Sequence, residues 1–368
     1  MRILGYLLLI MTSIPALSQQ HYLFVGTYTA TGSKGIYVYR FDAGTGALEP
    51  VGHTDSASNP SFLALHPGGN YLYACNENNP GAVSAFAFDR GSGRLTFLNG
   101  QPSGGAHPAY VAVDRSGQWL LAGNYSGGNL SAFPINGNGS LQPFSQLVQH
   151  RGSSVDQQRQ TSPHVHATLF GPGDDYVYVP DLGMDKVMVY KFDKDAKEPL
   201  EEASPKHVKT EPGSGPRHLA FHPNGRWAYL MEEMGGTVSA YRYKRGALQC
   251  QQRIAAHPDT AKGPFGSADI HVSPDGRFLY ASNRASENNL AIFAIDERKG
   301  TLRPVGYQST LGEQPRNFTL DPSGRYLLAA NQRSGTVVVF RREAQTGLLQ
   351  PTGVQVSIPQ PVCLLFHR

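Results

Sequence analysis

One short phrase returns seven times along this chain, and no other feature constrains its fold as strongly. It reads YLFVGT from Tyr22, YLYACN from Tyr71, WLLAGN from Trp119, YVYVPD from Tyr176, WAYLME from Trp227, FLYASN from Phe278 and YLLAAN from Tyr326, at intervals of 48 to 57 residues. A period of that size marks a unit that cannot bury its apolar face alone and must stack against copies of itself. Six of the copies follow a turn (HPGGN, DRSGQ, GPGDD, HPNGR, SPDGR, DPSGR), and before each turn lies another apolar run, such as SFLAL or RHLAF. A third run, such as AVSAFAF or TVVVFRR, comes after the phrase, and a glycine-containing turn leads to a fourth. Runs this short, β-branched and aromatic, punctuated by Gly, Pro, Asn and Asp, predict strands in hairpins rather than helices.

Four antiparallel strands repeated seven times predict an all-β fold, a seven-bladed β-propeller. The first copy has no innermost strand before it, whereas the chain ends in PVCLLFHR, which matches PSFLALHP in pattern. The C-terminal strand is therefore expected to complete the first blade and close the ring.

Ahead of the first copy, MRILGYLLLIMTSIPALSQQ carries one arginine, an apolar stretch from Ile3 to Met11, and small residues Ala16 and Ser18 before a plausible cut. That pattern predicts a secretory signal peptide over residues 1–18, with an apolar core too short to span a bilayer of about 30 Å. The expected product is a single propeller domain over 19–368, periplasmic or secreted, with no membrane insertion after cleavage. A formal net charge of +4 is small for 368 residues, and no run of Lys and Arg interleaves with aromatics, so no nucleic-acid partner is expected. The three cysteines, Cys75, Cys250 and Cys363, lack metal-ligand or redox spacing. They are expected to be buried small apolar residues, although an oxidising compartment permits one disulfide.

The turns between the first and second strands, and between the third and fourth, are tight and stereotyped, so they share one face. The other connections vary, and the longest are His150 to His164 and Ala256 to Ser267. Function concentrates on loops held by a rigid scaffold, which makes the variable face the candidate mouth. There the start of each innermost strand meets the residue just after the second strand. Aligning the repeats gives one column of Val362, Ser61, Ala109, His166, Arg217, Ala268 and Arg316, and a second of Tyr28, Glu77, Tyr125, Leu182, Glu233, Arg284 and Gln332. His166, Arg217, Glu233, Arg284 and Arg316 fall on four successive blades, a one-sided cluster suited to an anionic ligand. Arginine offers carboxylate or phosphate two parallel hydrogen bonds, and histidine and glutamate supply proton transfer. His164, His107, Asn124, Tyr125, Tyr28 and Glu77 reach the same face and are further candidates for lining the pocket.

Blander readings stand beside these. Arg217 and Glu233 could be only a rim ion pair of blade five. His164 and His166 share one side of a strand, as a metal pair does, but no third ligand is evident, so no metal and no cofactor are expected. His66, His222 and His271 fall near the tight turns and read as structural.

The motifs VGTYT, SPHVHAT, GPRHLAFHPNGRWAYLMEE, VSPDGRFLYASNR and GNYSGG resemble the lactonase family of seven-bladed propellers over residues 21 to 368. That family includes one type of 6-phosphogluconolactonase and the fungal carboxy-cis,cis-muconate cyclase. The resemblance implies a site built from His166, Arg217, Glu233 and Arg284. The expected activity is hydrolysis of a small-molecule anionic sugar lactone by a monomer. Glu233 or His166 takes a proton from water, the other protonates the leaving ring oxygen, and Arg217 and Arg284 steady the oxyanion. The alternatives are muconate-type cycloisomerisation and a non-catalytic carbohydrate- or protein-binding propeller. The family more often shows Asn then Glu where this chain has Glu232 and Glu233, which leaves open which carboxylate faces the channel. Its pentose-phosphate substrate is cytosolic, so a secreted member is expected to act on another sugar lactone, or on none.

Overall fold

A computed structural model describes residues 20–367 as seven four-stranded antiparallel sheets arranged in a ring. The signal-peptide reading falls on residues outside that range. Blade five shows the pattern: Pro216–Phe221 lies innermost, followed outward by Trp227–Glu232, Thr237–Lys244 and Ala247–Ala255. Each repeated phrase forms a second strand, and these are the most buried, because a sheet neighbour flanks them on both sides and a blade covers both faces. The last strand, Pro361–Phe366, pairs antiparallel with Gln20–Thr27 at the other end of the chain and completes the first blade. Among the described residues no helix is long and apolar enough to cross a membrane.

The apolar core is not one mass but seven clusters, each filling the gap between two neighbouring blades. Polar clasps reinforce the gaps. The buried hydroxyls of Tyr73, Tyr178, Tyr229 and Tyr280 donate to the carbonyls of Gly139, Gly246, Gly300 and Gly347 in the outer turn of the next blade. A separate contact explains the glycine at one of these turns: Gly300 has a φ of +72°, and a Cβ on it would run into the Trp227 ring. On the tight-turn face, His66, His222 and His367 similarly bond the carbonyls of Gly117, Gly276 and Gly69.

Two departures from expectation concern strands and thiols. The innermost strand of blade four shrinks to Leu169–Phe170, with Val165 making only an isolated bridge to Asp181. Between those two pairings four steps of one chain face three of the other, so the ladder breaks beside His166. Of the cysteines, Cys75 and Cys363 are buried as expected but Cys250 is exposed, and all three are free. Cys250 sits on an outermost strand, whose alternate residues face solvent.

The inter-blade clasps yield a measurable expectation. Tyr280→Phe leaves the buried carbonyl of Gly347 without its donor and is expected to lower unfolding free energy by about 1 to 2 kcal/mol. Urea denaturation followed by circular dichroism reads this as a lower midpoint at unchanged slope; an unchanged midpoint removes the clasp from the stability of the ring.

Candidate active site

The variable face holds a cavity of about 450 Å³ on the axis, and two repeated backbone devices aim side chains into it. The first is a β-bulge at the open end of the innermost strand. In blade five Pro216 pairs with Glu232 and His218 with Met231, so Arg217 is the inserted residue. The same slip falls at Ser61, Ala109, Arg316 and Val362, and spans Ala268 and Asp269 in blade six. A bulge re-aims one side chain without disturbing the rest of a strand, so the first column of the sequence alignment is the bulge column. The second device fixes the other column. The backbone N–H of Tyr28, Glu77, Tyr125, Leu182, Glu233, Arg284 and Gln332 donates to the carbonyl of Gln360, Asn59, His107, His164, Gly215, Gly266 and Gln314 respectively. Of those acceptor residues, Asn59, His107, Gly215, Gln314 and Gln360 adopt positive φ just before a proline that opens the innermost strand.

Glu233 is the centre of the arrangement. Its Oε2 accepts from Arg217 Nε at 3.0 Å and lies 3.0 Å from Arg284 Nη2, while Oε1 accepts from Arg159 Nη2 at 2.9 Å. Burial alone raises a carboxyl pKa, but Arg284, Arg217 and Arg159 outweigh it and hold Glu233 down at about 2. Arg217 is almost wholly buried and also donates to the Ala268 carbonyl at 2.8 Å. Burial, then the charges of Arg284 and Arg316, lower its guanidinium to about 9, which leaves it cationic at neutral pH. Arg284 is anchored by the Gly266 carbonyl at 2.8 Å.

His166 Nε2 stands 3.9 Å from Glu233 Oε2, and its buried Nδ1 has no partner among the described residues. Burial, then the charges of Arg217 and neighbouring cations, hold its pKa well below the ordinary histidine range, so the ring is neutral at pH 7. Beneath it the rings of His166 and His218 meet edge-on at 5.3 Å, and His218 Nδ1 bonds Asp269 at 2.8 Å. Asp269 also binds His271 and Asn317, forming a polar plug in the channel below the cavity.

The structure brings His166, Glu233, Arg284, Arg316, Glu77, Tyr125 and Tyr28 together around the cavity. Arg217 meets that group only through Glu233 and is not itself part of the wall, because its bulge turns it under the carboxylate. The Arg217–Glu233 pair is accordingly buried rather than a rim contact. Three other candidates lie outside the cavity wall. Asn124 is fully buried and spends its amide on Ser103 and Asn129. His107 bonds Ser126, and its backbone supplies the positive-φ corner. His164 stacks on Tyr125 at 4.6 Å and supports it from behind. Glu232 is turned away from Glu233 and binds Ser239 and Arg253, so Glu233 is the inward carboxylate.

Sequence reasoning missed Arg159, Phe265 and Gln314, all of which reach the cavity. Arg159 and Phe265 come from the two longest variable loops, which were a signal for position but not for which residue would enter. Asp156 shapes the first of these loops by accepting the backbone N–H groups of Gln158 and Arg159.

A ring of bladed sheets with a buried, cation-rich polar cavity at its loop face defines the class as a seven-bladed β-propeller. The family described as lactonase, 7-bladed beta-propeller, matches residues 22–366, and the chain belongs to it. A 6-phosphogluconolactonase of Formosa agariphila is 39% identical over 89% of this chain and 94% of its own length. One of Bacillus subtilis is 37% identical over 93% and 97%. Among solved structures, a periplasmic gluconolactonase of Pseudomonas aeruginosa superposes with a TM-score of 0.90 at 38% identity, covering 95% of this chain and 99% of that one.

The depressed Glu233 carboxyl has a stability consequence. Its pKa of about 2 lies below the 4.5 of a free glutamate, so its contribution is fully present above about pH 4.5 and lost as pH falls through 2. Glu233→Gln, which strands buried Arg217, is expected to cost about 3 to 5 kcal/mol at pH 7. Chemical denaturation of the two proteins should show that gap closing toward pH 2; a gap independent of pH shows that the charge of Glu233 is not what stabilises the site.

Proposed function

We propose that the protein hydrolyses the ring ester of a sugar-acid lactone. The observation that carries this reading is a neutral imidazole, His166, set 3.9 Å from a permanently ionised carboxylate, Glu233, in a cavity lined by guanidinium groups. Family membership and the names of the 6-phosphogluconolactonase and gluconolactonase relatives support it.

Electrostatics divides the roles that the sequence left interchangeable. A carboxyl held at about 2 carries no proton to donate near pH 7 and is a weak base. Glu233 has its oxygens taken by three arginines, whereas His166 Nε2 makes no hydrogen bond among the described residues and faces the cavity, which makes it the group placed to accept a proton. A 3.9 Å separation accommodates one water held between Nε2 and Oε2. As that water attacks the lactone carbonyl, its proton moves to Nε2, and the adjacent Glu233 carboxylate stabilises the imidazolium that forms. The imidazolium then returns the proton to the leaving ring oxygen, giving the open hydroxy acid. Arg284, in the wall, faces the developing oxyanion and then the product carboxylate. Arg217 touches no substrate in this scheme and is a positioning residue for Glu233. Arg159, on its loop and half exposed, completes the enclosure over the carboxylate. The N-terminal leader pattern and the periplasmic P. aeruginosa relative support action beyond the inner membrane.

The test is acid release from a panel of aldonolactones, with spontaneous opening subtracted. His166→Ala is expected to lower kcat by about 10² to 10⁴. Because the His166 pKa is depressed, kcat/KM of the wild type is expected to stay level across pH 6 to 8. Full activity in His166→Ala removes His166 as the base, whereas an acid limb centred at the usual histidine value shows that the site does not hold its ring neutral.

A further inference from the structure

The cavity has two ends with different charge. At the Glu233 end, Arg159, Arg217 and Arg284 face one carboxylate, leaving two positive charges in excess where a product carboxylate would form. The opposite end, built from blades one, two and seven, balances to zero. There the Tyr28 hydroxyl donates to Glu77 Oε2 at 2.8 Å, and Arg316 Nη2 lies 3.9 Å from the same oxygen. The Arg316 guanidinium stands over the Tyr28 ring at 5.5 Å, and Gln314 completes the corner. Arg316 makes no side-chain hydrogen bond to another described residue, so its donors are open to the cavity. Glu77 is held in place by Tyr28 from one side and still retains acceptor capacity.

A hydroxyl group matches both members of this corner, accepting from Arg316 while donating to Glu77. A phosphate does not. It carries about two negative charges near pH 7, and reaching Arg316 sets those charges within a few ångströms of the Glu77 carboxylate oxygens. Rejection of this kind, by an opposed charge rather than by lost contact, is a general route to specificity.

We propose that Glu77, fixed by Tyr28 and paired with Arg316, is a specificity-determining residue that selects a neutral polyhydroxylated tail over a phosphorylated one. This rests on the lactonase reading and names its substrate class as an unphosphorylated sugar lactone. The relatives named for a phosphorylated substrate share the fold, while the choice of tail is set by this corner.

The experiment compares kcat/KM for glucono-lactone and 6-phosphoglucono-lactone in the wild type and in Glu77→Gln, which keeps the size and the acceptor oxygen. The wild type is expected to prefer the neutral lactone, and Glu77→Gln to move the ratio toward the phosphorylated one by about tenfold. A wild type that prefers the phosphorylated lactone overturns the proposal, as does a ratio that Glu77→Gln leaves unchanged. Calorimetric binding of gluconate and 6-phosphogluconate to the wild type reads the same preference without turnover and without a variant. If neither lactone is hydrolysed while gluconate still binds more tightly, the tail selection stands and the hydrolase reading falls. If 6-phosphogluconate binds more tightly, the selection falls whatever the turnover.

Discussion

Everything at the mouth depends on pairing the two ends of the chain. Strand Pro361–Phe366 hydrogen-bonds to Gln20–Thr27, and through it the gaps between blades seven and one and between one and two acquire their apolar contents. A propeller blade has little core of its own, since its apolar area is buried only against its neighbours. Closing the ring therefore fixes the diameter of the axis, and the axis diameter fixes how far apart seven bulge residues stand. Arg217, Arg316 and His166 can be neighbours of one carboxylate environment only because the circle closes at that radius.

Within that frame the site is an exercise in burying like charges together. Four guanidinium groups converge on one small region with two carboxylates, Glu77 and Glu233. Burying such a set is unfavourable unless each member is partnered, and the partners are divided unequally. Glu233 takes three arginines, which hold its carboxyl well below the usual carboxylate range, and burial with nearby positive charge keeps His166 beside it neutral. Glu77 and Arg316 offset each other and stay open to the cavity. The same residue types thus build two environments, one end with positive charge in excess and one end in which the charges balance.

Much of this was legible before any coordinates. The seven phrases, the stereotyped turns and the displaced terminal strand specify a ring of hairpins, and the two aligned columns contain most of the wall but not Arg159, Phe265, Gly266, Ala285 or Gln314. What remained hidden was the local geometry that turns a column into a surface. Asn124 comes one residue before the column position Tyr125, and alternation along the strand directs its amide into the blade. His107 occupies the mouth with its backbone rather than its ring, because the residue before the innermost proline takes positive φ. Arg159 could not be placed, since a loop's path depends on contacts formed with residues far away in sequence, here Glu233.

By itself, then, the sequence determined the repeat, the strand order, the closure of the ring and the two columns of residues at the open ends of the hairpins, because strand period and turn chemistry are local properties. Tertiary structure alone decided which of Glu232 and Glu233 faces the axis, that Arg217 lies under the carboxylate rather than in the wall, and which groups carry protons. Those outcomes follow from burial and from charges on other blades, and both come into being only when distant segments are packed together.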